Sequence, residues 1–391
     1  MSTFGALFVP APLREAVSDA AWLAGMVDVE RALVNAAARA GVVPADAAAA
    51  VAAQCDPAFY DIEQLCEEGR AAGNPAEPLV RALRGRVGGD AARWAHIGAT
   101  SQDVLDTAAM LVSRGALGLI DDELDGVARA CARLAEEHRA TVMAARTLLQ
   151  QAVPTTFGLK AAGWLVAVLD ARSRIGRLTL PAELGGAAGT LAVFGEQGAE
   201  VVRLFAEELD LAEPALPWHA YRGRVAELAG ALGAVASASA KIGLDVVLLA
   251  QTEIGEVSEA SGGQSSTMPH KRNPVSAVLA RACARGVQVQ VPVLTDGEHE
   301  LERAAGAWHA EWNALSEALA LAGGAAAAIR DCLDGLDVHI DRMRANMTGE
   351  LFAERDALVE RGVLEAGVDT AYLGSVDVFI DRALTRYRET Q

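Results

Sequence analysis

The residues best suited to chemistry lie in the segment Ser261 to Pro274, SGGQSSTMPHKRNP. Ser265 and Ser266 offer hydroxyls, and His270, Lys271 and Arg272 surround them with positive potential. Gly262 and Gly263 supply a hinge, and the two prolines keep the segment out of the helical patterns on either side. A hydrated surface loop with an incidental basic cluster has the same composition. A second group is His96, Thr100 and Ser101, with Asp103 shortly after. Hydroxyls and unpaired amides at a helix start can receive a substrate carboxylate, although an N-cap with an acidic residue in its first turn accounts for the same spelling. Gln151 either orients a substrate or satisfies a buried polar neighbour. Arg303 offers a planar fork that can meet a carboxylate with two hydrogen bonds, or lies on a solvated helix face.

Long helices must position these groups. Val225, Leu228, Leu232, Val235, Ser239, Ile242, Val246 and Leu249 recur at steps of three and four. Ile120, Leu124, Val127, Cys131 and Leu134 repeat the pattern. Further helices are expected over 158–178, after Pro274 over 275–292, and over 303–331. Such apolar, alanine-rich helices need partners along most of their sides, so the fold expected is an all-α bundle, with subunits sharing a core. The organisation expected is an N-terminal helical domain over 1–95, a central bundle over 96–335 and a short C-terminal helical segment over 336–391.

The composition narrows the class. Lys and Arg total 34 against 52 Asp and Glu in 391 residues, a formal charge of -18. That balance argues against nucleic-acid binding and polybasic membrane attachment. Residues 318–329, the most apolar stretch, contain Gly323 and Gly324 and fall well short of the roughly 20 residues a spanning helix needs. The start of the chain has no basic segment followed by an apolar run. The five cysteines are an odd number without a Cys-x-x-Cys pair, as in a reducing compartment. A cytoplasmic protein without a metal site is the expectation.

The Ser261 to Pro274 stretch resembles the signature loop of the fumarase/aspartase superfamily, in which two serines precede a Met, a Lys and an Asn. Here these are Ser265, Ser266, Met268, Lys271 and Asn273. HIGATSQDVLDT from His96 and ARTLLQQAVPTTFG from Ala145 resemble its other two conserved blocks. Between the blocks, GNPAEPLV, LGGAAGTLAVFG and WHAEW resemble the bacterial 3-carboxy-cis,cis-muconate cycloisomerases. Adenylosuccinate lyases differ in carrying a histidine where this chain has Leu148.

The resemblance implies a homotetramer with sites assembled from several subunits, and a cofactor-independent reaction on a small polycarboxylate. It implies that Ser265 carries the proton, with Lys271 stabilising its oxyanion. His96, Thr100, Ser101, Gln151, Ser266, Met268, Asn273 and Arg303 are the implied substrate contacts. The reaction implied is lactonisation of carboxymuconate, or β-elimination from an amino-, nitro- or adenylosuccinate-like substrate to release fumarate. His219, Arg222 and Arg224 lie in PWHAYRGR, which departs from the cycloisomerase wording at Ala220, Tyr221 and Gly223. If that segment lines the pocket, it bears on the choice of substrate.

Overall fold

In the computed structural model, residues 4–260, 263–264, 268, 271–297, 299–367 and 371–390 are described. Helices dominate, and strands occur in antiparallel pairs. The chain divides into two compact units. The first holds residues 1–119, 177–232 and 286–320; the second holds 120–176, 233–285 and 321–391.

In the first unit the helix Asp19–Arg39 forms the centre of the core. Ser18 caps its start by accepting the Ala21 N–H at 3.2 Å, which satisfies one of the orphan donors of the first turn. Leu23, Met26, Leu33 and Ala37 are buried along it, together with Val201 and Phe205 of the helix Gly198–Glu208. Gly25 is close to Ala108 of the helix Ser101–Glu137: a Cβ there would meet the Ala108 Cβ at 3.2 Å, so the small residue sets the approach of that helix to Asp19–Arg39.

The second unit is built on the helix Phe157–Ile175, against which the helix Val376–Arg388 lies. Thr156 caps the former by accepting the Leu159 N–H at 3.1 Å. Phe157 is fully buried, edge-on to both His138 and Trp164 at centroid distances of 5.4 and 5.6 Å. Burial of such a ring contributes about 1.5–3 kcal/mol. A hairpin of Val142–Thr147 and Gln150–Thr156 precedes this helix. Leu148 and Leu149 turn it with φ of +50° and +63°, the conformation a two-residue hairpin turn demands and leucine disfavours.

The helices Phe157–Ile175 and Val275–Leu294 lie where periodicity and the proline signal put them. The helix expected from residue 303 starts instead at Ala307. Residues 299–306 form a loop: the Glu300 carboxylate accepts the Ala305 N–H at 2.7 Å, and Gly306 has φ +146°. The helix Gly223–Leu249 has the length and hydropathy of a membrane span, but 56% of its most apolar window is buried, as in a core helix.

Candidate active site

Thr100 immediately precedes the helix Ser101–Glu137. Its N–H donates to Asp103 Oδ2 at 2.8 Å, so the acidic residue of the first turn reaches back to the helix start. The Thr100 hydroxyl accepts a hydrogen bond from the Arg303 guanidinium. A hydroxyl, a helix N-terminus and a guanidinium thus converge, and each favours an anion.

His96 sits on backbone with φ +61°, a strained conformation for a residue with a Cβ. Its Nδ1 lies 2.7 Å from Glu30 Oε1, and Glu30 is buried. Burial opposes the imidazolium, but the Glu30 carboxylate and its hydrogen bond outweigh it and hold the His96 pKa above the ordinary value. His96 and Ser101 line a cavity of about 310 Å³ together with Glu77, Val80, Arg81 and Arg84. Arg81 is paired there with Glu77 at 3.4 Å and with Glu68 at 2.6 Å, so the cavity mixes both signs of charge with a hydroxyl.

A buried polar network lies behind Thr100. Asp103 accepts from the N–H groups of Gly185 and Gly186 at 2.8 and 3.0 Å, and from His219 Nε2 at 2.6 Å. Glu183 accepts the Trp218 N–H at 2.6 Å. Its other oxygen lies 3.2 Å from the same His219 nitrogen, whose proton is already committed to Asp103, so it gains no well-formed hydrogen bond. Asp103, Glu183 and His219 could hold a metal ion by proximity, their ligand atoms all lying within 4.8 Å of one another. The hydrogen bonds already made to Asp103 favour a polar hub instead.

Burial and the neighbouring carboxylates of Asp103 and Asp106 push the Glu183 pKa up from 4.5 to about 9. The unfolded chain loses this proton near pH 4.5 while the folded chain keeps it to about pH 9, so the folded state binds more protons across that window. Stability from this group is therefore greatest below the window and falls as pH rises through it. Glu183→Gln, which mimics the protonated carboxyl, is expected to flatten that decline. Melting temperatures at pH 5, 7 and 9 check this, and a pH slope equal to that of the wild type would contradict it.

In the second unit, the base of the signature loop is held by two devices. Gly263–Gln264 pairs with Arg272–Asn273, and Asn273 Nδ2 donates to the Gly263 carbonyl at 3.1 Å. The buried Glu259 accepts the N–H groups of Ser276 and Ala277 at 3.0 and 2.9 Å, fixing the start of the helix Val275–Leu294. Lys271 is exposed, its N–H donating to the Met268 carbonyl at 3.0 Å. Ser265, Ser266 and His270 lie outside the described residues. Gln151 projects from the hairpin and donates from Nε2 to the Asn346 carbonyl at 2.7 Å. Glu256 receives both arms of Arg146, at 2.6 and 2.9 Å, and Asn346 Nδ2 at 2.8 Å.

The structure brings Arg303 to Thr100 within the first unit, and His96 beside Ser101; it brings Asn273 and Lys271 to the loop base in the second. Sequence reasoning missed Glu30, Glu183, Glu256, Glu259 and Glu311. The available signal was a carboxylate at an otherwise apolar position, since a buried charge requires a partner. The polar side chains of PWHAYRGR divide: His219 and Arg222 are buried in the network, whereas Arg224 is exposed and pairs with Glu227 at 3.1 Å. Tyr221 is 75% exposed, so the unusual residue of this segment is turned away from the core.

A family model described as Lyase matches residues 11–289. Nitrosuccinate lyase of Streptomyces davaonensis is 50% identical over 368 residues, covering 89% of this chain and 78% of that protein. 3-Carboxy-cis,cis-muconate cycloisomerase of Pseudomonas aeruginosa is 46% identical over 354 residues, covering 88% of this chain and 77% of that protein. The crystal structure of 3-carboxy-cis,cis-muconate lactonizing enzyme from Pseudomonas putida superposes with a TM-score of 0.91 at 36% identity, covering 99% of both chains. The chain therefore belongs to the lyase family of the fumarase/aspartase superfamily, and is an enzyme of the lyase/cycloisomerase type.

Proposed function

We propose that the protein is a cofactor-independent cycloisomerase that lactonises 3-carboxy-cis,cis-muconate. The structural observation that carries the reading is the meeting of Arg303 with Thr100 at a helix N-terminus, a receptor for one substrate carboxylate. Several cycloisomerase relatives support the choice of substrate. A substrate carboxylate oxygen adds across a double bond, and Ser265 delivers a proton to the carbon next to another carboxylate. Negative charge that develops on that carboxylate needs fixed donors. Lys271 and Asn273 are the proposed donors, and His96 and Ser101, which line one cavity, are proposed to contact the substrate. Ser266, Met268 and Gln151 complete the proposed contacts.

The second reading is β-elimination from nitrosuccinate, favoured by the 50% identity to nitrosuccinate lyase. Both reactions exchange a proton next to a carboxylate, so the proposed machinery serves either. The two are separated by kcat/KM: ultraviolet absorbance falls as carboxymuconate is consumed and rises as fumarate forms from nitrosuccinate. The cycloisomerase reading expects the larger value for carboxymuconate, and a larger value for nitrosuccinate would replace it with the second.

The site is proposed to be completed by a homotetramer. Leu148 and Leu149 support this: they are 96% and 72% exposed in the single chain, at a turn whose positive φ leucine disfavours. Covering them by another subunit would offset that strain and remove apolar surface from water. Sedimentation at micromolar concentration is expected to give a tetramer, and a monomer would refute the shared site.

A further inference from the structure

The segment Pro217 to Arg224 brings two buried side chains, His219 and Arg222, to one helix. His219 reaches Asp103, and Arg222 reaches Asp106 through Nη1 at 2.7 Å and Nη2 at 2.9 Å. Asp103 and Asp106 stand three positions apart in the helix Ser101–Glu137, so their carboxylates share a face within its first two turns. Arg222 also meets Glu311 of the helix Ala307–Asp334, through Nε at 3.1 Å and Nη2 at 2.5 Å. Glu311 Oε1 lies 3.3 Å from His299 Nε2, at the start of the loop that carries Arg303. Trp308 Nε1 donates to Asp106 at 2.9 Å, and the Trp218 ring lies 4.8 Å from the Arg222 guanidinium carbon.

We propose that Arg222 is a positioning residue: by clamping Asp106 and Glu311 it sets the spacing between Thr100 and Arg303, and so the geometry of the substrate-carboxylate receptor. The inference rests on the role proposed above for Thr100 and Arg303. Thr100 lies at the start of the helix that carries Asp106, and Arg303 lies just ahead of the helix that carries Glu311. One planar guanidinium meets both carboxylates through separate edges, and lysine, a point charge on a flexible stem, cannot. Arg222, Asp106 and Glu311 are all buried, so water cannot substitute for a lost contact.

The test is Arg222→Lys, which keeps the charge and loses the fork, examined by crystallography and kinetics. The expected result is loss of the Arg303–Thr100 hydrogen bond, with KM for carboxymuconate raised on the order of 10-fold and kcat changed by less than about threefold. Should the lysine variant fail to fold, Glu311→Gln releases one arm of the clamp at nearly constant shape and is expected to show the same signature. A folded variant that retains the Arg303–Thr100 bond overturns the proposal, whatever its KM. Loss of the bond without a change in KM leaves Arg222 as the residue that sets this spacing, and overturns instead the substrate role of Thr100 and Arg303. The crystallographic result decides the proposal even if another substrate proves to be the true one.

Discussion

Ser265→Ala is expected to lower kcat on the order of 10²–10⁴-fold, with the melting temperature and oligomeric state unchanged. The substrate proton to be moved sits on a carbon next to a carboxylate, a weak acid, so an unassisted transfer is slow. A serine oxygen can carry it only where its anion is stabilised, and Lys271 with the loop's backbone amides is the proposed source. Alanine removes the oxygen and keeps the Cβ, in a sequence segment rich in glycine and proline. Single-turnover absorbance measurements check the outcome. Near-normal turnover would remove Ser265 from the proton-carrying role.

Glu256→Ala is expected to be the most damaging substitution for stability, at about 3–5 kcal/mol, because it leaves a mostly buried charge without its partner. Glu256 is fully buried, while the Arg146 side chain is 17% exposed. The glutamate takes both arms of Arg146 and the Asn346 amide, and its backbone carbonyl accepts the His339 N–H at 2.9 Å. Removing it loosens the hairpin on which Gln151 stands. Arg146→Met in the same chain should recover part of the loss, since the stranded charge goes with it. Chemical denaturation of the single and double variants measures both effects, and a Glu256→Ala midpoint equal to that of the wild type would contradict this account.

Elements governed by local signals were legible in the sequence. The heptad-like spacing of Val225 to Leu249 gave a helix over Gly223–Leu249, and Pro274 marked the start of the helix at Val275. Thr100 is legible as a helix start, and the structure adds that its N–H engages Asp103 while its hydroxyl accepts from Arg303; the receptor role remains the proposal made above. The start of the helix Ala307–Asp334 was misjudged because the Glu300 side chain and Gly306 divert the chain into a loop. The buried network was not legible because its partners lie far apart in the chain. Arg222 and Asp106, like His219 and Asp103, are 116 residues apart, and no local pattern pairs them. The same holds for Glu30 and His96, which meet across 66 residues.

The central claim is carboxylate addition coupled to protonation of the carbon next to a carboxylate. Proton NMR of 3-carboxy-cis,cis-muconate incubated with the protein in D₂O tests it most directly. The account predicts a carboxymuconolactone carrying one deuterium on the carbon next to a carboxylate. Carboxymuconate left unchanged at enzyme concentrations that convert a substituted succinate to fumarate would contradict it.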